Sequence, residues 1–268
     1  MEIYRPGTIA LLLTVFIVLF LVAPLIAVVP ISFTPTKYLS MPAGELSLRH
    51  YWTLLEDSRW RESFLLSLWI GAVSSVCATL LAAMFALGVW FLQPRIASAL
   101  IGFVMLPIIV PPVVSAVTLY FFLTSLSNIS GAIGYDTWPG VVLAHVVMIA
   151  PFAVILIFVA LSQVDRRIDM AARGMGASLS RRILSIIAPN IRFGLVSALF
   201  LTFILSWEEI GVTLFITSVQ AITLPRLVWM GLRDNVDPAV AAVSVLLIVA
   251  TILALGAAMI VRSRIARA

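Results

Sequence analysis

The sequence is poor in charged residues. Asp, Glu, Lys and Arg together make up 11% of its 268 residues, whereas hydrophobic residues make up 62%. A typical soluble domain carries about a quarter charged residues, because polar side chains are needed to cover its surface. This shortage excludes an ordinary soluble fold and predicts a protein that lies mostly in lipid.

Cysteine, lysine and histidine are also scarce. Cys77 is the only cysteine, which excludes a disulfide framework or a cysteine-based metal site within one chain. The only lysine, Lys37, does not belong to a phosphate-binding P-loop, and no metalloprotease or serine-hydrolase motif accompanies His50 or His145. We therefore expect no ATP hydrolysis, no catalytic residue and no bound metal in this chain, and a packing or hydrogen-bonding role for His145.

Six long hydrophobic segments make up most of the chain. A helix needs about 20 mostly apolar residues to cross a bilayer. The first segment is too long for the hydrophobic part of a signal peptide, and no cleavage site follows it, so it is expected to remain as a span. The predicted fold class is an all-α membrane protein in which residues 1–268 form one transmembrane domain. The predicted spans are residues 8–31, 63–92, 98–123, 138–162, 193–218 and 239–261.

The positions of arginine and lysine predict the orientation of the chain. Eleven of these residues lie at the chain ends, at residue 95 or in segment 163–192, and six lie in segments 32–62 and 219–238. Because cytoplasmic loops are the richer in basic residues, both termini and segment 163–192 are predicted to be cytoplasmic. Basic residues scattered between apolar segments also argue against a nucleic-acid partner. Segment 32–62 is then outside, and its aromatic residues predict a short interfacial helix.

Segment 163–192 has the pattern of two short helices joined by a turn. Asp169 begins a stretch that, with the alanines near it, favours a helix, and Gly176 can end that helix in the left-handed conformation. Isoleucines at helical spacing then predict a second helix before Pro189. The pattern fits either an amphipathic surface helix with solvated arginines or an element to which a cytoplasmic partner docks.

The order of residues in this segment resembles the EAA loop of binding-protein-dependent ABC importer permeases. Ala171 and Ala172 are followed after three residues by Gly176, and nine residues later by an Ile-Ile-Ala-Pro sequence that ends at Pro189. Met170 stands where the family has Glu.

The resemblance covers nearly the whole chain. It includes Pro107, Pro111 and Pro112, which are expected to break the third span because proline removes a backbone donor and kinks a helix. Residues 223–238, before the last span, resemble the polyamine branch of the family.

The resemblance implies a permease of the type I importer fold that crosses the inner membrane of a bacterial cell several times. The subunit is expected to sit in membrane lipid and to pair with a second permease in a hetero-dimer, with a homodimer as the alternative. Two ATP-binding cassette subunits would hold ATP and Mg²⁺, a periplasmic or other extracytoplasmic binding protein would deliver the substrate, and no cofactor would bind this chain directly. The residues implied to couple the ATPase to transport are Asp169, Ala171, Ala172, Gly176, Ala177, Ser178 and Pro189.

Glu208 and Glu209 are the only acidic residues inside any predicted span. An ionised side chain at the centre of a membrane helix costs about 2.5–3.5 kcal/mol on insertion scales, so two adjacent acids require a reason. They form either a structural pair or the lining of a cavity that attracts a cation. Helical spacing places Glu209 on one polar stripe with Thr202, Ser206 and Thr213, which predicts that Glu209 faces the cavity and that Glu208 flanks it or faces the second permease.

Nearby aromatic side chains complete the predicted substrate pathway. Trp207 and Tyr120 can offer ring faces to an ammonium group, and the resemblance to polyamine permeases implies a role in substrate passage for Ser206, Glu208 and Glu209. The expected substrate is a small cation such as putrescine or spermidine; another amine, an amino-acid derivative, an opine or a phosphonate is the alternative.

Two other functions compete with the importer. A secondary transporter could use Glu208 and Glu209 as a proton or Na⁺ relay, but that function predicts an inverted repeat, and we find none in the sequence. A membrane scaffold that transports nothing has no use for buried acids.

Overall fold

The structure is a computed structural model that describes residues 7–235 and 237–265, and the regular structure in that part is entirely helical. This confirms the predicted all-α fold class. The helices are α1 Thr8–Ser32, α2 Arg49–Glu56, α3 Ser58–Leu92, α4 Ala97–Val104, α5 Leu106–Ile109, α6 Pro112–Ser127, α7 Trp138–Ser162, α8 Arg166–Gly174, α9 Leu179–Arg182, α10 Ala188–Asn190, α11 Arg192–Glu208, α12 Thr213–Ile216, α13 Leu224–Met230 and α14 Ala239–Ile265, with π-helical turns at Ile183–Ile187 and Gly231–Asn235.

Three helices in the described residues, α1, α3 and α7, are long and apolar enough to cross a membrane. A fourth span results if Leu179–Asn190 and Arg192–Glu208, which meet at 74°, are taken together. The predicted third span falls on the broken series α4 to α6, and the predicted sixth span falls within α14. The count of six spans and the cytoplasmic position of both ends stay predictions.

Proline breaks the third predicted span, as the sequence predicts. Helix α4 ends at Val104, α5 carries Pro107 in its first turn, and Val110 is extended with ψ 133°. Pro112 then begins α6, where its missing N–H does no harm because the first turn has no internal partner for that group.

The fifth predicted span, residues 193–218, is not one helix. Helix α11 ends at Glu208, residues 209–212 form a break, and only the four-residue α12 follows. The expectation of a continuous helix was therefore wrong at this place. Glu209 leaves the helical conformation with ψ 107°, so its side chain can satisfy backbone groups that the break exposes.

The chain divides into two units, which are described separately, and the assignment of residues 1–268 to one domain stays a prediction. The first unit comprises the described parts of residues 1–62 and 227–268. In it α1 packs on α14, and α14 packs on α2. The Ser32 hydroxyl lies 2.8 Å from the Tyr51 hydroxyl, and His50 Nε2 lies 3.0 Å from the carbonyl oxygen of Thr36. Polar side chains thus hold α2, the helix predicted in segment 32–62, against the chain that follows α1.

The second unit, residues 63–226, contains the elements that carry the candidate sites. In it α7 and α11 pack closely on each other. Small residues let membrane helices approach closely, and Gly194 of α11 shows this directly, because a Cβ built there would overlap the Cβ of Ala160 in α7. The buried residues of this unit with no more than 1% exposure include many alanines: Ala78, Ala82, Ala86, Ala116, Ala144, Ala153 and Ala198.

Asp136 fastens the loop between α6 and α7 to the loop after α12. Its carboxylate accepts hydrogen bonds from the backbone N–H groups of Ser218, Val219, Gln220 and Ala221 at 2.7–3.2 Å. Burial of the carboxylate raises the pKa of Asp136, but these four donors lower it by more, so that its pKa lies below the ordinary value.

Close approach of α7 and α11 predicts that Gly194→Ala destabilises the protein. The added methyl group must push the two helices apart, and overpacking of this kind costs about 1–3 kcal/mol. Gly88→Ala in α3 is the control, because a Cβ there meets nothing within 4 Å and Ala favours a helix over Gly by about 0.5–1 kcal/mol. Thermal unfolding in mild detergent should show a lower midpoint for Gly194→Ala only; equal midpoints would contradict the tight contact.

The Asp136 contacts predict a specific dependence on pH. A group whose pKa is lowered in the folded state stabilises it above the ordinary carboxyl pKa of about 4, and this stabilisation is lost as the pH falls through the lower folded pKa. Asp136→Asn should therefore lower the unfolding temperature at pH 7, and the difference from wild type should shrink below about pH 4. Unfolding temperatures measured from pH 7 to pH 3 test this, and a difference that is constant over that range would contradict it.

Candidate functional site

The loop after α7 forms the two short helices that the sequence predicts. Helix α8 begins at Arg166, earlier than the predicted start at Asp169, because the Asp165 side chain accepts a hydrogen bond from Arg167 N at 2.8 Å and caps the helix. Gly176 has φ +81° and ends the helix, as predicted. The bonds from Gly176 N to Arg173 O and from Ala177 N to Ala172 O, both 3.0 Å, form a Schellman motif.

Asp169 holds the two short helices together. Its carboxylate is buried and accepts hydrogen bonds from Nε of Arg182, at 2.7 Å, and from Nη2 of the same guanidinium. The Arg182 guanidinium also lies 5.0 Å from the centre of the Phe91 ring at the end of α3. Asp169 therefore shapes the loop from inside and does not project from it. The sequence offered no signal that Arg182, rather than its neighbour Arg181, would make this pair.

The outer face of α8 is a mixture of apolar and basic side chains. Met170, which stands at the Glu position of the EAA pattern, is 61% exposed, and Met175 is exposed even more. Ala171 and Arg173 are also exposed, whereas Ala172 is buried against the rest of the loop. These exposures fit both alternatives, a solvated surface helix and an element to which a partner docks.

The remaining residues of the predicted coupling set shape the path into the fifth span. Ser178 caps α9 by accepting a hydrogen bond from Arg181 N, and Pro189 lies in the first turn of α10. After α10 the chain turns by 74° at Ile191 and enters α11. The loop is thus connected to the acids of the fifth predicted span by a short and mostly helical path.

The two acids of the fifth predicted span have different surroundings. Glu208, the last residue of α11, is exposed. Glu209 is half-buried, and its Oε1 accepts a hydrogen bond from Val212 N at 2.8 Å. The prediction that Glu209 faces a cavity along a polar stripe assumed a continuous helix, which ends one residue earlier. In the structure Glu209 caps the break and Glu208 is the acid left on the surface.

The other members of the polar stripe are buried inside the second unit. Thr202, Ser206 and Thr213 are at most 4% exposed. The Thr202 hydroxyl lies 3.4 Å from the Thr79 hydroxyl in α3. The stripe therefore faces neighbouring helices of the same chain, and it does not by itself mark a cavity.

His145 connects the stripe to α7. Its Nδ1 lies 2.7 Å from the Ser206 hydroxyl, and its Nε2 lies 3.0 Å from the Thr213 hydroxyl. The ring is 1% exposed. The predicted hydrogen-bonding role of His145 is confirmed, but its position beside Ser206 was not foreseen, because 61 residues separate the two in sequence.

The aromatic residues proposed for the pathway belong to two groups. Trp207 stacks on Phe203 and meets Phe64 edge-on, with ring centres 6.3 and 5.6 Å apart. Tyr120 instead meets Phe121 and Tyr135 edge-on, at 5.4 and 5.5 Å. Trp207 directly precedes the exposed Glu208 in α11, whereas Tyr120 lies in α6.

Comparison with known proteins agrees with this geometry. Residues 78–267 match the family described as the binding-protein-dependent transport system inner membrane component. The chain belongs to this family. It is a permease subunit of an ABC importer, the transport component and not the ATPase, and family membership implies an ATPase and a substrate-binding protein as partners. The importer is thereby favoured over the secondary transporter and the scaffold.

Individual relatives differ in the substrate for which they are named. The putrescine transport system permease protein PotI of Escherichia coli (strain K12) is 30% identical over 85% of this chain and 82% of its own length. The trehalose transport system permease protein SugB of Mycobacterium tuberculosis (strain CDC 1551 / Oshkosh) is 27% identical over 82% and 80%. These relatives support the permease assignment and leave the substrate open.

A solved structure shows the same fold. It is a bacterial ABC transporter involved in the import of the acidic polysaccharide alginate, which matches with a TM-score of 0.64 over 97% of this chain and 99% of that chain, at 16% identity. At this level of identity the likeness concerns the fold alone, which is that of a chain in an ABC transporter.

The left-handed turn of the loop predicts that Gly176→Val impairs transport. A β-branched residue strongly disfavours φ +81°, and the left-handed conformation costs roughly 1–2 kcal/mol for a residue with a Cβ, so the link between α8 and α9 should distort. Substrate uptake by the assembled importer should fall at least about tenfold, since 1.4 kcal/mol corresponds to a factor of ten.

The control for that variant is Gly44→Val. Gly44 has φ +96° and lies far from the loop in sequence, in segment 32–62. Valine at this position is strained to a similar degree, so Gly44→Val should lower the stability of the protein without uncoupling ATP hydrolysis from uptake. Normal coupling in an assembled Gly176→Val importer would show that the turn has no part in transmission.

Proposed function

We propose that this permease carries a small organic cation, such as putrescine or spermidine, and that Glu208 attracts the cation on its way through the membrane. The observation that supports this most is the exposure of Glu208 at the end of α11, where the helix breaks inside a predicted span. Glu208 forms no ion pair within the part of the chain that the structure describes.

An exposed carboxylate at membrane depth requires water or a partner. Acidic residues within spans face a bundle interior or a water-filled cavity, because lipid does not solvate them. In a permease pair, such a cavity lies between the two subunits. Glu208 would then line the cavity from this side, while Glu209 remains bound to Val212 N.

The neighbourhood of Glu208 suits an amine. Trp207 precedes it and stacks on Phe203, and an indole ring attracts an ammonium group by about 0.5–2 kcal/mol, depending on how well both are desolvated. A carboxylate together with an aromatic face is a pattern that suits an amine and disfavours an anion. The 30% identity to a permease named for putrescine points the same way.

Coupling would run through the loop from Arg166 to Pro189. The exposed Met170 of α8 and Met175, which follows the helix, dock on an ATPase subunit, and two such subunits bind ATP and Mg²⁺ and close on each other. Because Asp169 and Arg182 join α8 to α9, the closing movement is passed to α10 and then around the bend to α11. A second permease, the same chain or a different one, completes the pathway.

Neutralising each acid separately tests the assignment. Glu208→Gln should raise the KM for putrescine or spermidine uptake about tenfold or more, because a hydrogen bond to a charged group contributes about 1.5–3 kcal/mol. Glu209→Gln should leave uptake close to wild type, because its amide oxygen can still accept the bond from Val212 N.

The measurement is initial uptake by the reconstituted importer, with equal amounts of assembled complex. A thermal-shift panel of polyamines, sugars and oxyanions against the cognate binding protein reports the substrate class independently. If the binding protein binds a neutral sugar or an oxyanion, and the uptake kinetics of Glu208→Gln are unchanged, the proposal is wrong.

A further inference from the structure

A single buried histidine spans the break in the fifth predicted span. His145 of α7 contacts Ser206, near the end of α11, and Thr213, the first residue of α12. The two partners lie on opposite sides of residues 209–212. One side chain from a neighbouring helix therefore fixes both ends of the break at once.

The direction of each hydrogen bond follows from the donors available. The Thr213 hydroxyl donates its only proton to the carbonyl oxygen of Glu209 at 3.0 Å, so towards His145 it can only accept. Nε2 of His145 must then carry the proton, and Nδ1 accepts the hydroxyl proton of Ser206. The neutral imidazole protonated at Nε2 therefore hydrogen-bonds to both hydroxyl groups at once.

The segment beyond the break depends on such contacts. Helix α12 has only four residues, too few to be stable alone. Glu209 caps its start, and the Thr217 hydroxyl donates to the carbonyl oxygen of Thr213 at 2.8 Å. Arg226 donates in turn to the Thr217 hydroxyl. His145 is the link between this polar chain and the long helix α7.

We infer that His145 is a positioning residue that locks the break, so that Glu208 is held at a fixed place at the end of α11 while the importer works. The break then moves together with α7 and does not bend as a hinge. This inference rests on the proposed function, in which Glu208 meets the substrate.

Loss of His145 need not unfold the protein, which makes the inference testable. Without the imidazole, the Thr213 hydroxyl keeps its bond to Glu209 O, and the Ser206 hydroxyl can turn to the carbonyl oxygen four residues earlier, as serines in membrane helices do. The helices can therefore stay in place while the two sides of the break lose their shared anchor.

Three substitutions separate the two contacts. His145→Asn places an amide near the position of Nδ1 and keeps the contact to Ser206. His145→Gln reaches the position of Nε2 and keeps the contact to Thr213. His145→Phe keeps the ring shape and removes both contacts.

In the complete reconstituted importer, we expect His145→Phe to raise the KM for the polyamine about tenfold, with the yield of assembled complex unchanged. The KM values of His145→Asn and His145→Gln should lie between those of wild type and His145→Phe.

In the Glu208→Gln background, His145→Phe should have no further effect on the KM, because it acts through that acid. Effects of the two substitutions that multiply would overturn the inference, as would normal uptake by His145→Phe. If Glu208→Gln alone leaves uptake unchanged, the proposed function fails instead.

A second measurement does not depend on the substrate. In a Cys77→Ser background, Ile210→Cys places a thiol within the break, and its rate of labelling by a membrane-impermeant maleimide reports how often the break opens. His145→Phe should raise that rate several-fold, while the rate at Ile129→Cys, which is 84% exposed in the loop between α6 and α7, stays the same. An unchanged rate at residue 210 would show that the break is rigid without His145.

Discussion

In lipid, every backbone polar group that a helix leaves free must find a partner within the protein. The described structure interrupts its helices inside two of the predicted spans, and both spans are arranged around this constraint. In the third predicted span, Pro112 begins α6 at a position where a missing N–H does no harm. In the fifth, the Glu209 carboxylate accepts a hydrogen bond from Val212 N, and the Thr213 hydroxyl donates one to the carbonyl oxygen of Glu209.

This constraint explains why two adjacent acids have different roles. Glu209 is used to close the break, so only Glu208 is left to meet water, a partner or a substrate. The same logic applies to the loop between α7 and α11, where the Asp169 carboxylate binds Arg182 of the same loop. In both places one acid is held by a hydrogen bond within the chain. An adjacent residue, Glu208 in one case and Met170 in the other, is exposed and available for contact with another molecule.

Polar contacts between loops complete this arrangement in the second unit. Asp136 accepts hydrogen bonds from four successive backbone N–H groups after α12, and Arg226 donates a hydrogen bond to the Thr217 hydroxyl. Together with His145, they hold a short helix that could not form alone. An importer permease thus maintains an irregular segment beside its candidate pathway through side chains drawn from several distant parts of the chain.

Features that follow local rules could be predicted from the sequence. The excess of apolar residues predicts a membrane protein, and proline predicts the breaks in the third predicted span. Gly176 predicts that a helix ends with a residue in the left-handed conformation, because only glycine adopts that conformation at little cost. Tertiary structure alone decided that Glu208 is the exposed acid, that His145 joins Ser206 to Thr213, and that Asp169 pairs with Arg182. These contacts join residues 13 to 68 positions apart, and the choice of partner depends on how helices pack, which no spacing along one helix can specify.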